Sequence, residues 1–256
     1  MRKHIAAVIS MAVIAVIFNS GCSSKTIEFG HYEQDNDTTN GKEPITWRVI
    51  DTSTDGRILI ISEKAIDVQP YNDYSATTGI TWDKSTIRSW LNGYPASYNT
   101  VGNDYTSDNF IDTAFTAEEK ARIVETNVPA HPNPDINTPQ GDDTTDKVFL
   151  LSIPEVKDYL PGEKNYAAEA TQYVIKKGAY VYGSESERTT TDRTCADTHC
   201  YASWWVRTMG NASNIAAVVY YNGIDHDTKF VKGGVRNYGG GVTAPYSIRP
   251  AMWITY

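Results

Sequence analysis

The chain is poor in histidine and cysteine, with five and three residues, and it is short of positive charge. Lys and Arg number 23 against 31 Asp and Glu, for a net charge of −8. That balance excludes a nucleic-acid binder, which needs a basic footprint to displace counterions from phosphate. Beyond residue 18 there is no apolar run long enough to cross a bilayer as a helix. The sequence also lacks a Gly-x-Ser-x-Gly elbow, a His-Glu-x-x-His helix, a phosphate loop and a dinucleotide fingerprint. No cofactor is therefore expected. What is present is an ordinary globular composition, 40% hydrophobic and 21% charged, which rules out a disordered or collagen-like chain. At 256 residues it can bury one large core.

The N-terminus carries a targeting signal. Arg2 and Lys3 form a positive start, and residues 5–18 are apolar except for Ser10. Fourteen residues make about 21 Å of helix, short of the roughly 30 Å hydrocarbon core, so the run reads as a signal peptide. Asn19-Ser20-Gly21-Cys22 resembles the bacterial lipobox, with Asn19 where Leu is usual. The resemblance implies cleavage after residue 21 and a lipid on Cys22. A short tether over residues 22–26 then leads into a single domain over 27–256, held on the cell envelope outside the cytoplasm. Plain secretion with cleavage near Cys22 is the alternative.

With Cys22 lipidated, Cys195 and Cys200 remain as a pair. In an extracytoplasmic setting they are expected to form a disulfide, constraining the unfolded chain by about 2 kcal/mol. A metal site on Cys195, His199 and Cys200 is the competing reading. It would need a distant fourth ligand, and His31, His131 and His226 are scattered singly. The expectation is no metal.

Polar, turn-rich stretches at 35–43, 94–109, 131–145 and 185–194 interrupt short ordered pieces. Alternation and apolar runs predict strands at 45–50, 57–62, 147–152, 201–208, 215–221 and 247–255. Asp83 can cap a helix bearing Ile87, Trp90 and Leu91, ended by Gly93. Thr116/Glu119 and Ser152/Glu155 are capping-box pairs, and residues 167–177 read as the strongest helix. Helices in the middle and strands at the end give an α+β, loop-rich fold rather than an alternating βαβ sheet.

Residues from about 27 to 255 resemble an uncharacterised bacterial domain family of secreted and lipid-anchored proteins. The resemblance rests on Phe29-Gly30-x-Tyr32-x-Gln34, Pro44-Ile45-x-Trp47-Arg48-Val49, Thr81-Trp82 and Ile87-Arg88-x-Trp90-Leu91-Asn92. It continues in Phe115-Thr116-x-Glu118-Glu119-Lys120, the run from Asp146 to Ser152, Trp204-Trp205-x-Arg207 with Gly210, and Arg249-Pro250-Ala251-x-Trp253-Ile254. Thr208 and Met209 stand where the family usually has Ser-Pro. The C-terminal part is similar to the C-type-lectin-like fold shared with formylglycine-generating enzymes. The family implies that fold and brings no activity. The Arg-Gly-Gly-Ser-Trp stretch of the formylglycine-generating enzymes is missing, as are the Glu-Pro-Asn and Trp-Asn-Asp signatures of calcium-dependent lectins, although Asp142, Asp143 and Asp146 fall together.

The sequence therefore predicts a non-catalytic module binding a glycan or a protein surface. An extracytoplasmic enzyme of the formylglycine-generating type and a retroelement-diversified surface binder are the alternatives. His226 between Asp225 and Asp227 has no nucleophile tied to it, and no catalytic residue is assigned. There are 17 Tyr and 6 Trp against 6 Phe, rings with an apolar face and a polar edge. Tyr71, Tyr74, Tyr94, Tyr98, Tyr105, Tyr221 and Tyr238 fall in or beside polar loops and are expected to form an exposed binding face. Period-2 parity places Trp204 in the core, with Trp205 and Arg207 on the opposite face. Arg207 and Arg249 read as buried structural arginines, with Trp253 beside Arg249. If the last strands form a meander, the first and third turns meet at one end. Asn211, Asn214, Arg236, Asn237 and Tyr238 would then supply amides, a cation and a stacking ring to a sugar.

Overall fold

The computed structural model describes residues 16–17, 25–134, 136–161, 163–182, 200–221, 228–231 and 241–255. In chain order the strands are β1 (Val16–Ile17), β2 (Thr26–Tyr32), β3 (Glu43–Thr52), β4 (Ile58–Ser62) and β5 (Asp67–Gln69). Then come β6 (Thr126–Val128), β7 (Thr144–Asp146), β8 (Val181–Tyr182) and β9 (Tyr201–Ala202). The C-terminal set is β10 (Trp204–Met209), β11 (Ala216–Tyr221), β12 (Thr228–Val231), β13 (Tyr246–Ile248) and β14 (Ala251–Ile254). Five short helices fall mid-chain: α1 (Thr86–Asn92), α2 (Phe110–Ala114), α3 (Ala117–Arg122), α4 (Ile153–Tyr159) and α5 (Gln172–Lys176). The fold is α+β, with several small sheets and long loops. Among the described residues no helix is long and apolar enough to cross a membrane.

Two five-stranded sheets carry the core. The first runs β1-β2-β3-β4-β14 and is antiparallel throughout; the second runs β12-β11-β10-β13-β5, with β10 and β13 parallel. Every residue of β4 and β10 is buried, because each is an inner strand covered on both faces. The parity expected for β10 is therefore lost to solvent: Trp205 and Arg207 are as enclosed as Trp204.

The last predicted strand, 247–255, is two strands in two sheets. β13 ends at Ile248, Arg249-Pro250 turns the corner, and β14 pairs with β4 in the other sheet. Proline has no N–H for a ladder, so the break falls there. The Pro250 carbonyl accepts from Ser62 N–H at 3.0 Å, and Arg249 Nε donates to the Ser62 carbonyl at 2.7 Å. Arg249 is fully buried with its guanidinium 5.3 Å from the Trp204 ring. Burial and the nearby Arg48 lower its pKa to about 9. This corner ties the two sheets together.

Local signals explain most helices. Ser85, not Asp83, caps α1, accepting from Arg88 N–H, while residues 82–84 form a separate 3₁₀ turn. Both capping boxes close as drawn from sequence, Thr116/Glu119 on α3 and Ser152/Glu155 on α4. The helix expected over 167–177 shrinks to α5. Ala170 N–H donates to the Cys200 carbonyl, and the Glu169 and Ala168 carbonyls accept from Ala65 and Ala202. Tertiary pairing overrides helix propensity there. Residues 147–152 form no named strand; they are extended, with Phe149 bridged to Ala251.

Candidate functional site

The site is built around the start of α4. Ser152 caps the helix, its Oγ accepting from Glu155 N–H at 3.3 Å, while Glu155 Oε2 accepts from Ser152 N–H at 2.8 Å. Pro154 fits the first turn, where its missing N–H costs nothing. The same Glu155 carboxylate receives both terminal nitrogens of Arg207, one of them Nη2 to Oε1 at 2.6 Å. Arg207 is 3% exposed and also donates to the carbonyls of Leu150 (2.8 Å) and Pro129 (3.1 Å). One arginine from β10 thus fixes α4 and the segment after β6 against the second sheet.

Burial pushes the Glu155 carboxyl up, but the two Arg207 bonds outweigh it, and the group titrates below its ordinary 4.5. A depressed carboxyl contributes stability that is present above its unfolded value and is lost as pH falls through the folded one. Wild-type protein should therefore lose melting temperature steeply below pH 4.5, and Glu155→Gln should flatten that limb. Parallel acid profiles for the two proteins would contradict this role.

His131 completes the network. Its Nδ1 lies 2.8 Å from Ser152 Oγ and 3.4 Å from Arg207 Nη2. Ser152 Oγ, which already accepts an N–H, can donate its own proton to Nδ1, and Arg207 offers a second donor to the same nitrogen. The network thus engages the ring through Nδ1. Ser152 resembles a catalytic serine beside a histidine, but it is fully buried and committed as a cap.

His131 lines a cleft of about 300 Å³ together with Thr126, Asn127, Phe149, Asp158, Tyr159 and Trp253. Trp253 and Tyr159 are half-buried rings, Asn127 and Asp158 are exposed, and Phe149 forms the floor. The Trp253 indole N–H donates to no described residue. Burial and the carboxylates of Asp51, Glu155 and Asp158 raise the Tyr159 pKa, so its hydroxyl stays a donor at neutral pH. Two aromatic faces, an amide, an imidazole and a carboxylate converge here. A larger cleft of about 420 Å³, bordered by Gln34, Asp35, Glu43, Lys64, Glu169 and Cys200, has no aromatic side chain among the described residues of its wall.

The residues singled out from sequence divide differently. Trp204 and Trp205 are fully buried, their indole N–H groups donating to the Tyr166 and Gln69 carbonyls at 3.0 and 2.9 Å. Of the signature, only Trp253 reaches the cleft. Asn211 and Asn214 lie exposed in the turn between β10 and β11. Val242 N–H donates to the Asn214 carbonyl, which sets residue 242 beside that turn, while β13 pairs parallel with β10, so the last strands do not form the expected meander. Arg236, Asn237 and Tyr238 lie outside the described residues, as do Cys22, Cys195, His199 and His226; Cys200 is buried.

The expected tyrosine face is corrected. Tyr71 is fully buried and donates to the Arg207 carbonyl at 2.8 Å, and Tyr94 and Tyr105 are half-buried. Of that set Tyr74 and Tyr98 are exposed, at 73% and 47%, and the side chains of Tyr221 and Tyr238 lie outside the described ones. Two of the acids at 142–146 are also spoken for. Asp146 is fully buried against Arg88 at 2.8 Å, and Asp143 accepts from Ala130 N–H. The cleft residues His131, Asn127 and Tyr159 carried no sequence signal, because three separate segments bring them together.

The chain belongs to the family described as Domain of unknown function (DUF6273), which it matches over residues 55–256. The match opens after β3, yet β2 and β3 pair in the same sheet as β4 and β14. Comparison with the curated proteins and with the solved structures gives no match.

Proposed function

We propose that this family member is a bacterial cell-envelope lipoprotein, anchored through lipid on Cys22 after loss of residues 1–21 and with them the two-residue edge strand β1, whose domain is a non-catalytic, C-type-lectin-like binding module. Its ligand is a glycan, taken in the cleft of Trp253 and Tyr159. One observation carries the reading: two half-buried rings and several polar side chains line one cavity of about 300 Å³. Rings supply flat apolar contact to the face of a sugar, while Asn127, His131 and Asp158 supply donors and an acceptor to its hydroxyls. That volume suits one or two sugar units rather than the roughly 800 Å² per partner of a stable protein interface. Ser152 beside His131 does not argue for hydrolysis, being buried and capped. A Cys195–Cys200 disulfide outside the cytoplasm belongs to the same proposal.

The test is a glycan array probed with the purified full chain, followed by titration of the best binder. Trp253→Leu and Asp158→Ala should each weaken binding at least tenfold while the melting temperature stays within a few degrees. Asn211→Ala and Tyr238→Ala should bind normally. If these two abolish binding and Trp253→Leu does not, the site lies on the C-terminal turns. An array on which nothing binds removes the glycan reading.

A further inference from the structure

The loop between β2 and β3 gathers three carboxylates that the cleft does not use. Glu33, Asp35 and Glu43 each place an oxygen within 4.8 Å of the other two. Twice the calcium–oxygen distance of about 2.4 Å is the same span, so one ion can touch all three. Acidic clusters on surfaces are common, and convergence alone means little. Two further facts set this one apart.

First, Glu33 is only 9% exposed and its Oε1 accepts no hydrogen bond, although the carboxylate is also met by the Asn36 backbone N–H. A buried carboxylate oxygen without a donor is costly, because it has given up water for nothing. Second, among the described residues the trio has no cationic side chain. No ion pair among the described residues includes any of the three. Lys42, the lysine of that loop, donates instead to the Thr113 carbonyl at 2.6 Å.

The other two carboxylates are held in place. Glu43 Oε2 accepts from Gln34 N–H at 2.6 Å, and Asp35 accepts from Asp37 N–H and Asn40 Nδ2, each at 2.7 Å. We infer that Glu33, Asp35 and Glu43 form a divalent-cation site, taken by calcium in preference to magnesium. Calcium accepts irregular shells of carboxylate, carbonyl and water oxygens; magnesium demands a near-ideal octahedron at about 2.1 Å and gives up water reluctantly. With three carboxylates near the surface, the dissociation constant should fall in the ~10⁻⁴–10⁻³ M range. The ion would fix the β2–β3 loop, and with it the Asp35 and Glu43 rim of the 420 Å³ cleft.

The experiment is a melting curve of the full chain in EDTA, in about 5 mM calcium and in about 5 mM magnesium, with calorimetric titration of calcium. Calcium should raise the wild-type melting temperature and magnesium should raise it less. Glu33→Gln should match or exceed wild type in EDTA, since it removes repulsion, and fall below it in calcium. Asp35→Asn, at an exposed position, should weaken calcium binding at least tenfold without harming the fold. No calcium-dependent rise in wild type, or an equal rise in both variants, overturns the site. An equal rise with magnesium overturns the calcium preference.

Discussion

Arg207→Ala should cost about 3–5 kcal/mol, the range for leaving a buried charge without its partner. In a domain of this size each kcal/mol moves the melting temperature by about 2–4 °C, so the fall should be roughly 10 °C or more. The substitution strands Glu155 beside α4 and leaves the carbonyls of Leu150 and Pro129 without their donors. Arg207→Lys should recover only part of the loss, because one ammonium cannot reach both carboxylate oxygens and two carbonyls in one plane. A double variant, Arg207→Met with Glu155→Leu, should be more stable than Arg207→Ala, since it removes both charges together. Denaturant melts of the four proteins form the check. If Arg207→Ala unfolds at the wild-type midpoint, the guanidinium is not what joins α4 to β10.

The same residue bears on function. Arg207 stands behind the cleft rather than in it, and through Glu155, Ser152 and His131 it sets which imidazole nitrogen faces a ligand. The scaffold and the proposed site therefore share one polar network.

How much of this could be read from sequence follows a physical divide. Capping boxes at Thr116 and Ser152 were legible because their partners are three residues apart. The strands β3, β4, β10 and β11 were legible as apolar or alternating runs. What failed was everything decided by distant partners. Residues 167–171 look helical, but their backbone groups are taken by Ala65, Cys200 and Ala202. Tyr71 sits in a polar stretch, yet it is core, because its hydroxyl finds the Arg207 carbonyl 136 residues away. The cleft joins residues 126–131, 153–159 and 253, and no local pattern announces it. The acidic loop was read as a turn, which it is; only the fold shows that Glu33 turns inward.

Gly30→Ala should be among the most damaging small substitutions in the chain. Gly30 lies in β2 where the pairing with β3 shifts register, between Glu28 and His31, and it has φ of +71°. An L residue there costs about 1–2 kcal/mol in backbone strain alone. The added Cβ would also stand 2.4 Å from Phe115 Cε1 and 2.7 Å from the Ala114 carbonyl oxygen. Phe115 cannot swing aside, since it packs against Phe29, Trp47 and Phe110 at 5.2, 6.2 and 5.7 Å between ring centroids. The Ala114 carbonyl is backbone at the end of α2 and can move only with the helix. Relief therefore requires α2 and α3 to lift from the first sheet. That motion would strain the Gly30 N–H bond to Glu119 Oε1, the carboxylate whose other oxygen closes the α3 capping box. Overpacking adds about 1–3 kcal/mol to the backbone term, for a total of roughly 2–5 kcal/mol. Gly56→Ala is the matched control: φ is +86° and the new Cβ meets nothing within 4 Å, so only the backbone cost of about 1–2 kcal/mol should appear. Trimming the ring with Phe115→Leu should make Gly30→Ala less costly than it is in wild type, but not harmless, because the carbonyl clash stays. Equal losses for Gly30→Ala and Gly56→Ala would mean that the helices already ride loosely on β2, and that the close approach at Gly30 holds nothing in place.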